Sequence, residues 1–597
     1  MPHESKLSLG ATPAATAEQW QQAVAAVLVK SKRMAESDDP ADAPQKLAKH
    51  TTDGIEIAPL AGSDVARELA STPTGSDAVR GHLQSQVPEP GDVPTWDLRV
   101  FISDRTQQPT DALEGGAGSL WLSSRALGGV GAVLDGVLLD VAPVVLDSAD
   151  PVADGTELIN AAGGALHPHS NLGLDPTGEL LLTGTPADAQ IAEVAALARD
   201  NSIRGFVIDA SIVHDAGAGE VLELAYAAAA GVQLLRRLDE AGIDASQAAG
   251  LIEFRYAATD QQFTTIAKLR AARAIWARIC QVAGIDDDVQ AQHAVTSGRM
   301  MTQFDPWTNL LRTTIATFAA GVGGADAITV QEYDAALGAS DDFSRRMARN
   351  ISNLLVNESH IGQVHDPAGG SGSIERLTDD LARAGWAKFT EIERDGDIRA
   401  FIADGSLAKE LDAAIARRTE AIAKREQPIT GISEFPLADE TMLAREPGYS
   451  RYAEGALIRP VRDADGFEQL RREPATRPVF LWPIGPLAAH TARATFAANL
   501  LTAGGIPVVQ GKAGADFDTL AAAAREAGTS VICLVGSDEG YRTEGPALVK
   551  QLRGVGPAHI INAGKPVSEI ADLVDDFMAV RQDALAFLNR TRTALED

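Results

Sequence analysis

From about residue 50 to 400 the chain alternates short apolar segments with longer helical ones, and this recurrence restricts the fold more than any other feature. The apolar segments that read as strands are Asp97–Ser103, Ser119–Ser123, Val137–Leu146, Gly205–Ala210 and Ile252–Ala257. Helical periodicity is clearest over Gly219–Leu238 and Gln262–Val282; the second places Phe263, Ile266, Leu269, Ala272, Ile275 and Trp276 close to one face. Strand–helix units repeated over this length predict a parallel β architecture, with a (β/α)8 TIM-like barrel ahead of an open sheet.

A second, compact βα series follows in residues 476–597. Its expected strands are Val479–Trp482, Pro507–Gln510, Ser530–Val535 and His559–Ile561, with helices near 489–503, 515–527 and 545–553 and a last one over Ser568–Thr593. That pattern is flavodoxin-like, and ligands in such sheets bind beyond the carboxyl ends of the strands. The first loop, Ile484-Gly485-Pro486-Leu487-Ala488-Ala489-His490, carries one imidazole where a ligand would sit. His490 is either a ligand or a solvent-facing histidine at a helix N-terminus.

The chain thus divides into an arm (1–50), a barrel (51–400), a connector (401–475) and the second βα unit (476–597), giving an α/β protein. In the arm, Thr16-Ala17-Glu18-Gln19-Trp20 opens a capped amphipathic helix, which packs on its own domain or reaches a partner. The connector holds a charged helix, Lys409–Lys424, and then a turn-rich stretch, Gln427–Pro474, long enough to wrap a neighbouring domain.

Composition mainly excludes. A formal charge of −30 over 597 residues lacks the basic footprint of sequence-independent nucleic-acid binding. Cys280 and Cys533 are the only cysteines and fall in a helix and a strand, so a reducing cytoplasm is expected rather than a disulfide framework or a cysteine-based zinc site. The Met1–Lys6 segment has no secretory pattern, and no run of ~20 apolar residues suggests a membrane span. His167-Pro168-His169 flanks a proline and reads as a loop, not a metal site. Asp366–Gly372 lacks the spacing of a phosphate-binding loop and reads as a turn into a helix over Ile374–Ala384.

Five blocks, in order, resemble the methylmalonyl-CoA mutase family: Ala267–Arg278, Thr296-Ser297-Gly298, Arg345–Asn350, Asp366–Ser371 and Glu375–Thr378. The resemblance implies a barrel that threads an acyl-CoA and a C-terminal domain that holds adenosylcobalamin, the source of the radical that drives the rearrangement. It also implies site residues, and this chain departs from them. In the family's cobalamin motif D-x-H-x-x-G, His490 keeps the histidine, while Ala488 replaces the aspartate and Arg493 the glycine. Ile484 stands where a lysine belongs, Leu534–Glu539 replaces a serine-rich turn, and Ala563-Gly564-Lys565 replaces paired glycines. In the barrel, Phe101 occupies the position of the catalytic tyrosine and Ile212 that of the catalytic histidine. Isoleucine neither donates a hydrogen bond nor transfers a proton. His214, two residues on, is expected on the same strand face, one layer away, as a structural residue. Gly372-Ser373 replaces an aromatic pair.

A chain with these losses resembles the small, non-catalytic subunits of heterodimeric members of the family. The resemblance then places adenosylcobalamin and the interconversion of (R)-methylmalonyl-CoA and succinyl-CoA on a large partner subunit. No metal site is expected in this chain, and His490 is at most a residual ligand. The Trp20 arm, Gln427–Pro436 and His360-Ile361-Gly362 are candidate partner contacts. Two other readings stay open: a competent acyl-CoA mutase with divergent loops, and a regulatory or chaperone-like partner.

Overall fold

The computed structural model describes residues 15–62, Val65, Leu69, and 96–596 apart from 287–288, 365 and 557–558. The Met1–Lys6 segment lies outside the described residues. Eight parallel strands close into a barrel: β1 (Asp97–Ile102), β2 (Ser119–Ser123), β3 (Val144–Asp147), β4 (Asn171–Leu174), β5 (Arg204–Asp209), β6 (Ile252–Ala258), β7 (Ala291–Thr296) and β8 (Ala327–Thr329). Closure is made where Ala327 and Ile328 of β8 pair with Asp97 and Leu98 of β1.

The expected strand at Val137–Leu146 is reduced to Val144–Asp147. Before it, Val141 and Ala142 donate N–H bonds to Leu138 in a turn, and Pro143 has no N–H to offer a ladder. Strands β4, β7 and β8 were not expected. Their polar inward residues (Asn171, His293, Thr329) and short lengths interrupt the apolar runs that mark buried strands. Gly173 is required in β4: its φ is +75°, and a Cβ there would lie 1.9 Å from the Leu146 carbonyl oxygen. The register of β4 against β5 shifts at this point.

Residues Ser211–Asp215 form a short helix, not the strand expected there. The Asp209 carboxylate accepts the Ser211 N–H at 3.1 Å and so turns the chain immediately after β5. Helices α2 (Glu220–Glu240), α3 (Gln262–Ala283), α4 (Thr308–Val322) and α5 (Gly372–Arg394) pack on the barrel, after α1 (Ala17–Lys30) in the arm. Helix α5 starts two residues earlier and runs ten residues further than the expected Ile374–Ala384.

Helix α1 opens with a complete capping box between Thr16 and Gln19. Its Leu28 joins Met34 and Ala43 in a small core of the arm's own, while Val27 stays exposed. Just after the arm, Asp53 accepts the Val221 N–H at 2.9 Å and ties this part of the chain to the first turn of α2. After α6 (Ser406–Ala423), the connector wraps the barrel. The Ala453, Leu457 and Val461 amides donate to the carbonyls of Leu182, Leu181 and Asp215 at 3.0, 2.8 and 2.8 Å.

A separate parallel sheet follows, with strands β9 (Val479–Pro483), β10 (Val508–Gln510), β11 (Val531–Val535), β12 (His559–Ala563) and β13 (Asp576–Met578) in the order β10-β9-β11-β12-β13. Alternation fills both faces: Val479, Leu481 and Cys533 pack on one side, Phe480, Trp482 and Leu534 on the other. The long last helix expected from Ser568 is instead strand β13 followed by α8 (Ala584–Glu596). Asp575 sets this up by accepting the Ile560 N–H at 2.7 Å, which docks the preceding segment against β12. Helix α7 (Leu487–Ala503) links β9 to β10. Cys280 and Cys533 are both buried. Among the described residues no helix is long and apolar enough to cross a membrane.

Candidate functional site

The inner wall of the barrel carries charge, and each charge is answered from another strand. Arg99 Nη1 donates to Glu253 Oε1 at 2.7 Å, and Arg255 Nη1 to Asp209 Oδ2 at 2.8 Å. Arg255 Nε donates to His293 Nδ1 at 2.9 Å, which leaves the ring proton on Nε2 to donate to Thr329 Oγ1 at 2.8 Å. Burial drives the His293 pKa well below its ordinary value, aided by Arg99, Arg255 and Arg451, so the imidazole is neutral. The Arg255 guanidinium also lies 3.8 Å from the centroid of the Trp121 ring.

The connector closes this network from above. Arg451 Nη1 donates to Asp209 Oδ2 at 2.8 Å, and its Nε to Asp147 Oδ1 at 3.3 Å. Its guanidinium stands 5.1 Å from the Trp121 centroid, on the ring that also carries Arg255. Burial opposes ionisation of Asp209, but Arg255 and Arg451 outweigh it and hold the carboxyl at about 2. The same two carboxylates, Asp147 and Asp209, raise the Arg451 pKa against the opposing effect of its burial. Paired side chains from six strands and one connector residue thus form a plug inside the barrel.

A cavity of about 760 Å³ opens on this plug, with Arg99, Trp121, Thr329 and Arg451 in its wall, and Phe101 and Ile212 both line it. The structure thus brings together the two barrel positions singled out from sequence. Phe101 packs its ring 4.2 Å from Trp121, and Ile212 is buried. Neither supplies a hydroxyl or an imidazole. His214 lies elsewhere, fully buried, with Nε2 2.8 Å from Ser297 Oγ and Nδ1 3.4 Å from Glu223 Oε2. Glu223 is itself held by Lys268 Nζ at 2.6 Å. Burial, then Arg299 and Lys268, depress the His214 pKa far below normal, as suits a neutral core histidine.

In the second sheet, His490 is fully buried, which corrects the expectation of a solvent-facing side chain. It lies on the inner side of α7 with Ala494 and Ala497, whereas Ala488 is exposed. Both ring nitrogens of His490 lack a hydrogen-bond partner among the described residues. Arg493 reaches across the strand ends: its Nη1 donates to the Gly536 carbonyl at 2.8 Å, and it pairs with Asp538. A Cβ at Gly564 would lie 3.0 Å from Arg493 Cζ, so that side chain rests directly on the β12 turn. Below it, the Tyr541 hydroxyl lies 2.9 and 2.7 Å from the Leu534 and Ala563 carbonyls and accepts the Gly536 N–H at 3.0 Å. Arginine and tyrosine together tie the ends of β11 and β12.

His167 and His169 stack edge to face, with centroids 5.1 Å apart, and burial pushes His169 down to about 4. Among the described residues no group of three or more His, Cys, Asp or Glu side chains could hold a metal ion. Sequence reasoning passed over Arg451, Asp147, Asp209 and Trp121. The available signal was the charge in otherwise buried strands, as in Glu253-Phe254-Arg255.

The methylmalonyl-CoA mutase family model matches residues 185–454, which run from the helix before β5 through the connector residues that plug the barrel. The methylmalonyl-CoA mutase small subunit of Streptomyces virginiae is 41% identical, with 98% of each chain covered. This chain belongs to the methylmalonyl-CoA mutase family. The family is an isomerase family dependent on cobalamin. A small subunit from Propionibacterium freudenreichii subsp. shermanii is 35% identical over 98% of this chain and 95% of its own. The large subunit of the Streptomyces virginiae mutase is 29% identical over 72% of this chain and 63% of its own length.

Proposed function

We propose that this chain is the small subunit of a heterodimeric methylmalonyl-CoA mutase and is itself non-catalytic. A large subunit would hold adenosylcobalamin and interconvert (R)-methylmalonyl-CoA and succinyl-CoA. The observation that carries this reading is the barrel plug. Arg451 bridges Asp147 and Asp209 over Trp121 in the wall of the cavity that Phe101 and Ile212 line. Phe101 and Ile212 there offer no acid, base or hydrogen-bond donor.

The second sheet reads as a flavodoxin-like domain of the cobalamin-binding type, supported by its strand order of 2-1-3-4-5. It does not fit the cofactor. A cobalt-ligating imidazole needs an orienting partner on its other nitrogen, and the position that would supply a carboxylate is Ala488. His490 is buried with neither ring nitrogen paired. Arg493 and Tyr541 cover the carboxyl ends of β11 and β12, beyond which ligands in such sheets bind. The division into arm, barrel, connector and degenerate cobalamin-type domain belongs to the same proposal.

Co-expression with a methylmalonyl-CoA mutase large subunit tests it. The complex is expected to purify at 1:1 and to convert methylmalonyl-CoA, while this chain alone, given adenosylcobalamin, converts none. Turnover by the isolated chain would overturn the non-catalytic reading, and failure to form a complex would overturn the partnership.

A further inference from the structure

A second cavity, of about 1460 Å³, lies where the barrel, the connector and the second sheet meet. Its wall takes Lys49 from the arm, Arg299 from the loop after β7, Arg417 and Arg418 from α6, and Arg581 from the segment after β13. The loops at the carboxyl ends of β9, β11 and β12 contribute nothing to that wall. The cavity therefore opens on the flank of the second sheet, beside α7.

Charge here runs against the rest of the chain. The sequence holds 82 acidic and 52 basic residues, yet seven lysines and arginines face five carboxylates around this cavity. Buried Arg299 and Arg418 share one of them, Asp463, whose Oδ1 stands 3.6 and 3.8 Å from their Nε atoms. Burial, and then Arg299, lower the Arg418 pKa to about 10, as befits a cation short of counter-charge. These two donate to the His214, Ala218 and Gly217 carbonyls, so they supply field more than contacts. Lys49, Arg417 and Arg581 make no ion pair among the described residues. Arg417 is steadied by its Nε, which donates to the Thr52 carbonyl at 3.3 Å.

The same wall carries an apolar patch. Phe435 is 75% exposed and Val580 is 72% exposed, and Phe496 stands beside them on α7. Asn499 Oδ1 accepts the Phe435 N–H at 3.1 Å and fixes that turn against α7. Eight described residues other than glycine have a positive φ, and three of them, Arg425, Phe435 and Arg581, line this one cavity. Side chains held in the left-handed region cost free energy, and such strain clusters at ligand sites.

We propose that this cavity binds a nucleoside phosphate, with its phosphates against Lys49, Arg417 and Arg581 and its base on Phe435. A phosphate chain answers cations that lack a counter-ion, and a flat base covers an exposed ring. An inorganic anion would leave Phe435 and Val580 in water, and an acyl chain would leave the cations unanswered. The space suffices, since ligands of this size occupy about 300–1,000 Å³.

Calorimetry on the full chain with ATP as the probe is expected to show one site. Arg417→Gln/Arg581→Gln should raise its Kd by about 30-fold or more, and Phe435→Ser by about tenfold. Inorganic triphosphate should respond to the first variant and not to the second. Arg394→Gln, at an exposed arginine on α5, is the control and should stay within about twofold. Thermal melting checks that each variant folds. Without any variant, ATP should protect amides of residues 424–435 and 579–584 from hydrogen exchange. CoA, whose adenosine also carries phosphates, is the competing probe: displacement of ATP names an acyl carrier as the source of the ligand, and its absence a free nucleotide. No binding of ATP, or binding unchanged in Arg417→Gln/Arg581→Gln, overturns the proposal. Triphosphate held as tightly as ATP overturns the nucleoside part, and displacement of ATP by adenosylcobalamin gives the cavity to that cofactor and overturns it as well.

Discussion

Replacing Arg451 by methionine keeps much of the apolar stem and removes the charge that bridges Asp147 and Asp209. Breaking one side of a buried charge pair typically costs ~3–5 kcal/mol, because the remaining ion is left uncompensated. Asp209 retains Arg255 at 2.8 Å, so the lower end, about 3 kcal/mol, is expected. The loss falls on the connector, whose Ala453, Leu457 and Val461 amides are held by barrel carbonyls. At about 1.4 kcal/mol per factor of ten, exchange of these three amides should speed up by roughly 100-fold. Amides of β11 in the other sheet should not change. The effect has a defined pH dependence. Asp209, held at about 2 in the folded chain, contributes stability above the ordinary carboxyl range that is lost as pH falls from about 4 towards 2. Without Arg451 that carboxyl titrates higher, so the difference between variant and parent should shrink over the same window. A change of less than about threefold in connector exchange at neutral pH would refute the plug.

Lys268→Met should destabilise the barrel by about 3–5 kcal/mol, since it strands the buried Glu223 carboxylate; adding Glu223→Gln should recover most of the loss in denaturant unfolding. Asp215 is pushed up to about 7, chiefly by burial. The folded chain therefore holds a proton that the unfolded chain releases, and stability should fall as pH rises from about 4 to about 7, by an amount on the order of 4 kcal/mol. Asp215→Asn should flatten that decline in melting temperature, and an unchanged slope would count against the assignment. Gly173→Ala should prevent a folded barrel or lower its melting point sharply, because the added carbon meets the Leu146 carbonyl at 1.9 Å in a left-handed backbone; a variant melting like the parent would show that β4 relaxes.

The barrel was legible because strands such as β2 and β6 are buried on both faces and because long periodic helices, α2 and α3, stand near β6. Strands β4, β7 and β8 were not, since Asn171, His293 and Thr329 turn polar groups inward, and only the closed barrel supplies their partners. The last strand was lost in the same way: Asp575-Asp576-Phe577 looks helical until Asp575 finds the β12 backbone. The vacant chemistry at Phe101 and Ile212 was readable from residue type alone. The plug was not, because Arg451 lies 242 residues from Asp209 in sequence and nothing local to either residue announces the pairing. His490 shows the limit for a single residue: its place in the loop was evident, but its burial depends on how α7 packs.

The non-catalytic reading bears most directly on how much cobalamin the assembled enzyme holds. A complex of this chain with a large subunit, saturated with adenosylcobalamin, freed of excess and measured by its absorbance against protein, gives that number. One cobalamin per heterodimer, with none retained by this chain alone, is the predicted result. Two per heterodimer, or a stable coloured complex with the isolated chain, would contradict it.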